Sequence, residues 1–287
     1  MTHDPLRPEN RTLAEALNMS FDVMSPAERK VARALIAEYP VAGLEPVAKL
    51  AERANVSAPT VLRMLARVGI QSYPHMQELL REEISERTTS PIDQYESHAG
   101  ARGSADHHLI TTANEVFVRG LNSSSASVPA SEFDHIIELL ADPKRRIWAV
   151  GGRYSGLLAE YLTLHLRLLR PDVRFVGRAE SDKSLALLDM GGRDVLIAFD
   201  YRRYQDTTVE FVERAKQQRV TTVLLTDPWL SPAAKHADYL ISSAVEAPSP
   251  FDSLVPSLAL VETLIAGVVA RLGAEPVGRI QAFDAWE

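Results

Sequence analysis

From Arg146 onward, five short apolar runs alternate with helical stretches, and this alternation constrains the fold more than any other feature of the 287 residues. The runs are IWAVGG, VRFVG, DVLIAFD, TTVLLTD and DYLISSAV, starting at Ile147, Val173, Asp194, Thr221 and Asp238. Helical patterns follow each of them, over 157–169, 185–190, 207–217, 232–236 and 257–272. Runs of strand length without polar alternation indicate strands buried on both faces, which is the mark of a parallel sheet. Right-handed crossovers then make an α/β doubly wound, five-stranded parallel sheet the economical topology. Ligands of such sheets sit beyond the carboxyl ends of the strands, near the switch point. The loops after Val150, Phe199 and Leu225 are therefore the ones to inspect.

The amino-terminal part reads as all-α. Ser25, Pro26 and Glu28 make a capped helix start, with Val31, Ala34, Leu35 and Ala37 as its apolar face and Pro40 as its end. Between Leu44 and Gly69 two short helices meet at a tight turn. Val47, Leu50, Ala51 and Ala54 form one stripe; Asn55-Val56-Ser57 breaks it, with Ser57 as the expected N-cap. In the second helix Val61, Leu62, Leu65 and Val68 are expected inside, leaving Thr60, Arg63 and Arg67 on other faces. Short polar residues early in a helix and arginines further on suit a duplex groove and its phosphates, so the expected motif is a helix-turn-helix. From Arg53 to Gln77 there are three arginines and no acid, although residues 1–87 hold 11 basic and 12 acidic residues. So few cations imply a weak or dimer-dependent DNA contact.

A further helix opens at Tyr73-Pro74, with Met76, Leu79, Leu80 and Ile84 inward and Glu82, Glu83 and Glu86 expected in water. Residues 88–105 have the Ser, Thr, Gly and Pro of a linker. The expected division is a helix-turn-helix domain over 1–87, that linker, and an effector-sensing domain over 106–287. Residues 109–121 and 133–140 are expected as two helices separated by the loop NSSSASVPAS. His98, His107 and His108 lack the further ligands a metal site needs.

The first strand-end loop, Gly151-Gly152-Arg153-Tyr154-Ser155-Gly156, has neither GxGxxG nor a Lys-Ser/Thr pair, which argues against a nucleotide cofactor. The second, from Asp200 through Arg202, Arg203 and Tyr204 to Thr207, puts two arginines and two tyrosines at a strand end. Either an anion or an internal cluster with Asp200 and Asp206 would satisfy those charges. The third, at Asp227, reads as a turn without ligand chemistry. Glu160, His165, His236 and Glu262 form no catalytic constellation, so no catalytic residue, metal or cofactor is expected.

The absence of cysteine excludes disulfides and thiol chemistry. The polar start MTHDPLRPENRT carries no secretory signal, and Leu254–Ala270 falls short of the ~20 residues of a membrane span. The expectation is a cytoplasmic protein without a membrane partner. A net charge of −7 argues against a general coat for nucleic acid, not against a local DNA site.

Taken together, the two halves resemble the RpiR/MurR family of bacterial transcription regulators, which join a helix-turn-helix domain to a SIS (sugar isomerase) domain. Leu50-Ala51, Val56-Ser57, Thr60-Val61, Arg63, Gly69-Ile70 and Tyr73 fit that family's first domain. Gly151 to Ser155, Ala215-Lys216, Leu225-Thr226-Asp227, Ser231-Pro232 and Ala237-Asp238 fit its second. The family's Ser-x-Ser-Gly-x-Thr phosphosugar loop is replaced here by Asp200-Tyr201-Arg202-Arg203-Tyr204, with Thr207 retaining a hydroxyl. The resemblance implies a homodimer or homotetramer that binds a double-stranded operator and senses a small anionic metabolite, a phosphosugar or related sugar acid. Its DNA face would use Ser57, Thr60, Arg63, Arg67 and Tyr73, and its effector pocket Arg153, Ser155, Arg202, Arg203 and Thr207. The alternative is a sugar-phosphate isomerase with a helical appendage, for which Glu262 or a histidine would supply the base.

Overall fold

In the chain's structure, a computed structural model, residues 11–87, 92, 95 and 109–285 are described. The expected linker lies outside them apart from Ile92 and Tyr95, as do His98, His107 and His108 and the side chain of Glu86. The chain divides into two compact units, 1–129 with 228–230 and 242–253, and 130–227 with 231–241 and 254–287.

The first unit contains α1 (Leu13–Ser20), α2 (Pro26–Ala37), α3 (Val41–Leu44), α4 (Val47–Arg53), α5 (Ala58–Arg67), α6 (Tyr73–Arg87) and α7 (Leu109–Ser127). The helix starts are chemically specified. Thr12 with Glu15 and Ser25 with Glu28 form reciprocal capping boxes, each satisfying two amides that a helix start leaves open. The turn between α4 and α5 is a Schellman closure. Asn55 takes the left-handed conformation (φ 51°), its amide reaches the Glu52 carbonyl, and the Val56 amide reaches that of Ala51. The same closure ends α5, with Gly69 at φ 83°, Gly69 bonded to Ala66 and Ile70 to Leu65. Gly69→Ala forces a Cβ into that conformation and should lower stability by about 1 kcal/mol in urea unfolding; unchanged stability would mean the turn is not forced.

Leu17, Leu35, Leu50, Met64, Leu65, Met76 and Leu80 form the centre of this unit's core. Three sequence expectations are corrected here. Leu62 does not face inward; it is 46% exposed, and Met64 takes the buried place, because 3.6-residue spacing from Val61 reaches Met64, Leu65 and Val68. Glu83 is buried rather than in water, since its carboxylate accepts the Leu13 amide (2.7 Å) and the Tyr39 hydroxyl. The expected loop after Leu121 is helical through Ser127. Ser124 and Ser127 return their hydroxyls to the carbonyls of Gly120 and Ser124, and Pro129 follows the break.

The second unit starts with α8 (Ala130–Ala141) and continues as β1 (Arg146–Gly151), α9 (Gly156–Leu169), β2 (Val173–Phe175), α10 (Glu180–Asp189), β3 (Asp194–Phe199), α11 (Asp206–Gln217) and β4 (Thr221–Thr226). After β4 come a 3₁₀ turn at Pro232–His236, β5 (Tyr239–Ser242), α12 (Val255–Leu272) and α13 (Val277–Asp284). All five expected strands are present in one sheet of order β2-β1-β3-β4-β5. β1 runs parallel to β2 and β3, with Ala149 opposite Phe175 and Ile197, and β3 runs parallel to β4. The order reverses between β1 and β3, so the switch point lies at Gly151 and Phe199. α12 has the length and hydropathy of a membrane span, but Leu260, Val261, Leu264 and Val268 are buried and it packs on α8 and α9 within this unit.

Candidate functional site

Ser57, Thr60 and Arg63 stand one turn apart along α5 and its start, and their side chains are linked. Ser57 stands at the N-cap position but makes no capping bond; its hydroxyl meets that of Thr60 at 3.0 Å. Thr60 is not outward as expected but only 6% exposed, and its Oγ1 accepts from the Arg63 guanidinium at 3.0 Å. Thr60 therefore orients Arg63, which is itself exposed. Arg67 is also exposed, and its Nε donates to Glu28 at 3.2 Å. Burial pushes the Glu28 carboxyl up, but the Ser25 amide and hydroxyl and Arg67 outweigh it and hold the group below its ordinary range. Pro59, Leu62 and Ala66 are exposed on α5 as well.

Tyr73, expected at this face, is instead in the core at 8% exposure, where its hydroxyl donates to the Glu45 carbonyl at 2.8 Å. Space also alters the charge argument. The acid-free stretch of sequence meets acids from elsewhere, with Arg53 paired to Glu38 and Glu45 and Arg67 to Glu28. Arg63 has no carboxylate within ion-pair distance among the described residues.

In the second unit, the Gly151–Gly156 loop lies at the switch point. A Cβ on Gly151 would come 2.6 Å from the Gly156 nitrogen, so that position requires glycine. Ser155 is buried, and its hydroxyl donates to the Phe199 carbonyl (2.8 Å) while accepting from the Gly152 amide (2.9 Å). It staples the loop to β3. The amides of Gly156, Leu157 and Leu158 go to the carbonyls of Gly152, Tyr154 and Ser155, so these amides are not open to an anion. Arg153 stands exposed beside the staple.

The second loop is organised by carboxylates, though not by the pair the sequence suggested. Asp206 is exposed in the first turn of α11. The buried acids are Asp200 and Asp227, at the ends of β3 and β4. Asp227 accepts the Arg202 amide (2.6 Å) and the Tyr204 hydroxyl (2.7 Å). Asp200 accepts the Ser231 hydroxyl and the Gln205 amide (3.3 Å). Burial raises the Asp200 carboxyl to about 6, with nearby Asp227 adding to the rise while Ser231, Gln205 and Lys183 oppose it. Arg203 is exposed, and Thr207 accepts from the Lys183 ammonium at 2.9 Å.

Thr207 and Lys183 also line a cleft of about 130 Å³ between α10 and α11, with Glu180, Glu210, Phe211 and Arg214. Of the five residues expected at the effector site, Thr207 alone lines this cleft. Asp227 and Lys183 were missed. Asp227 had a readable signal, because it closes the apolar run TTVLLTD as Asp200 closes DVLIAFD. Lys183 had none within the polar pattern of ESDKSLALLD. The proposed isomerase base, Glu262, accepts the Tyr161 hydroxyl at an exposed position, and that acceptor raises the tyrosine's pKa. His165 sits against the same ring at 4.3 Å.

Residues 139–267 match the SIS domain family. The chain carries a SIS domain. With the helix-turn-helix ahead of it, the chain has the RpiR-type build that its motifs resemble. It is similar to the HTH-type transcriptional regulator HexR of Escherichia coli, 21% identical over 92% of this chain and 90% of that protein. In fold, it is similar to the sugar isomerase domain of an RpiR transcription factor from Sphaerobacter thermophilus. That likeness has a TM-score of 0.58 and 22% identity, covering 62% of this chain and 99% of the other. It is also similar to the Vibrio vulnificus NanR protein complexed with ManNAc-6P, with a TM-score of 0.54 and 16% identity over 94% and 97% of the two chains.

Proposed function

We propose that the chain is a cytoplasmic, DNA-binding transcriptional regulator whose SIS domain senses a small anionic metabolite, a phosphosugar or related sugar acid, and that it has no catalytic role. The observation that carries this reading is Arg63, exposed on α5 and oriented by Thr60, in a chain that also carries a SIS domain. The regulator names of its relatives support it, as does the sugar phosphate in the NanR complex. The isomerase alternative is not favoured.

In this reading Ser57, Arg63 and Arg67 meet the duplex, joined by Leu62, whose exposed methyls suit a thymine methyl in the major groove. Thr60 and Tyr73 act behind them, one orienting Arg63 and the other bracing α6 against the Glu45 carbonyl. Arg153, Arg202, Arg203 and Thr207 surround the effector, while Ser155 keeps the loop shape they depend on. By function we divide the chain into 1–87, the linker 88–105 and 106–287, a division that differs from the compact units, since Leu109–Ser127 and 242–253 cluster with the first of them. Two or four copies pair their heads on one operator, and the effector favours one spacing of those heads.

Selection from a random duplex library with the full chain tests the proposal. Enrichment of one paired sequence, with binding that weakens steeply as salt rises, is expected. A bound pool no different from the input would overturn the DNA-binding role.

A further inference from the structure

Lys183 is a buried lysine that the sensing site described above does not use. It is 8% exposed, and its ammonium donates to a neutral partner, the Thr207 hydroxyl. Among the described residues no carboxylate lies within ion-pair distance of it; Asp200, Glu180 and Glu210 act on it only from farther away. A cation withdrawn from water without a counter-ion is costly, and burial accordingly lowers its pKa. Such an arrangement gains most from an oxyanion arriving from outside.

The cleft around it has the remaining parts for a sugar-sized anion. Thr207 adds a hydroxyl beside the ammonium, and Arg214 adds a second cation, shared with Glu210 at 3.7 Å. Glu180 and Glu210 offer carboxylates to accept sugar hydroxyls, while Leu187 and Phe211 give an apolar wall for the carbon face. Its volume of about 130 Å³ equals that of about four waters, enough for the anionic end of a metabolite.

We propose that Lys183 and Thr207, in the cleft between α10 and α11, hold the phosphate or carboxylate of the effector, with Glu180 and Glu210 taking its hydroxyls. This rests on the sensing role proposed above and moves the charge-recognition point from Arg203 to Lys183.

The test is calorimetric titration of the full chain with glucose 6-phosphate, gluconate and inorganic phosphate, on wild type, Lys183→Met, Thr207→Val and Arg203→Ala. Lys183→Met should lower affinity for the bound oxyanion at least tenfold with a melting temperature equal to or above wild type, and Thr207→Val severalfold with a lower one, because the buried ammonium then loses its hydroxyl partner. The three probes separate a phosphosugar from a sugar acid and from phosphate alone. Wild-type binding that survives Lys183→Met but is lost in Arg203→Ala overturns the cleft and leaves the sensing role standing. Binding of no probe to wild type withdraws both. If Lys183→Met melts lower, the Thr207→Val and Arg203→Ala pair decides between the same two outcomes.

Discussion

Arg63→Ala should weaken binding to the selected operator by roughly five- to 150-fold, the ~1–3 kcal/mol of one well-formed base or groove contact. Its melting temperature should not change. The reason for the separation is structural. Arg63 is exposed, and its bond within the chain is to the Thr60 hydroxyl, so truncation strands no buried charge. Arg67→Ala is the contrasting case, because it removes the Nε donor from a buried Glu28 that also caps α2. That variant should lose both DNA affinity and stability. Anisotropy titrations at fixed salt, paired with thermal melts, read the two effects apart. An Arg63→Ala protein that binds as tightly as wild type removes α5 from the interface.

The second large effect concerns Asp200. Its carboxyl titrates near 6 in the folded chain, against 3.8 for an ordinary aspartate, because burial disfavours the charge. Between those values the folded state holds the proton that the unfolded state has released. Stability from this group is therefore present at low pH and falls as pH rises through about 6. The gap corresponds to about 3 kcal/mol at pH 8. Asp200→Asn keeps the shape without the charge, so it should stabilise the chain at pH 8 by up to that amount and have little effect at pH 4. Urea unfolding at both pH values measures the difference. Equal destabilisation at both would show that the hydrogen bonds from Ser231 and Gln205, not the charge, decide the role of Asp200.

The sheet was legible because buried parallel strands leave a signal that needs no partner, namely unbroken apolar runs such as DVLIAF and TTVLLT. The capping box of α2 was legible for the same reason, since Ser25 and Glu28 are three residues apart. What the sequence hid depends on residues far away in the chain. The burial of Glu83 follows from the Leu13 amide and Tyr39, neither near it in sequence. The charge of the stretch around α5 changes once Glu28, Glu38 and Glu45 arrive from other helices. Leu62 was misplaced because an apolar residue in an amphipathic helix reads as core by type, whereas the helical angle puts Met64 there. At the ends of β3 and β4 and the nearby α10, the arginines of the second loop drew attention by their type. The structure instead gives the buried positions to Asp200, Asp227 and Lys183, with Ser155 as a staple.

The central claim is that one chain couples a duplex to a small anion, and a single titration addresses it. A sugar phosphate or sugar acid that binds the SIS domain is added to the complex of the full chain with its selected operator, and the operator Kd is followed. The account predicts a change of about fivefold or more, as expected for ~1–3 kcal/mol of coupling. An operator Kd that stays constant while the anion saturates its site would contradict it.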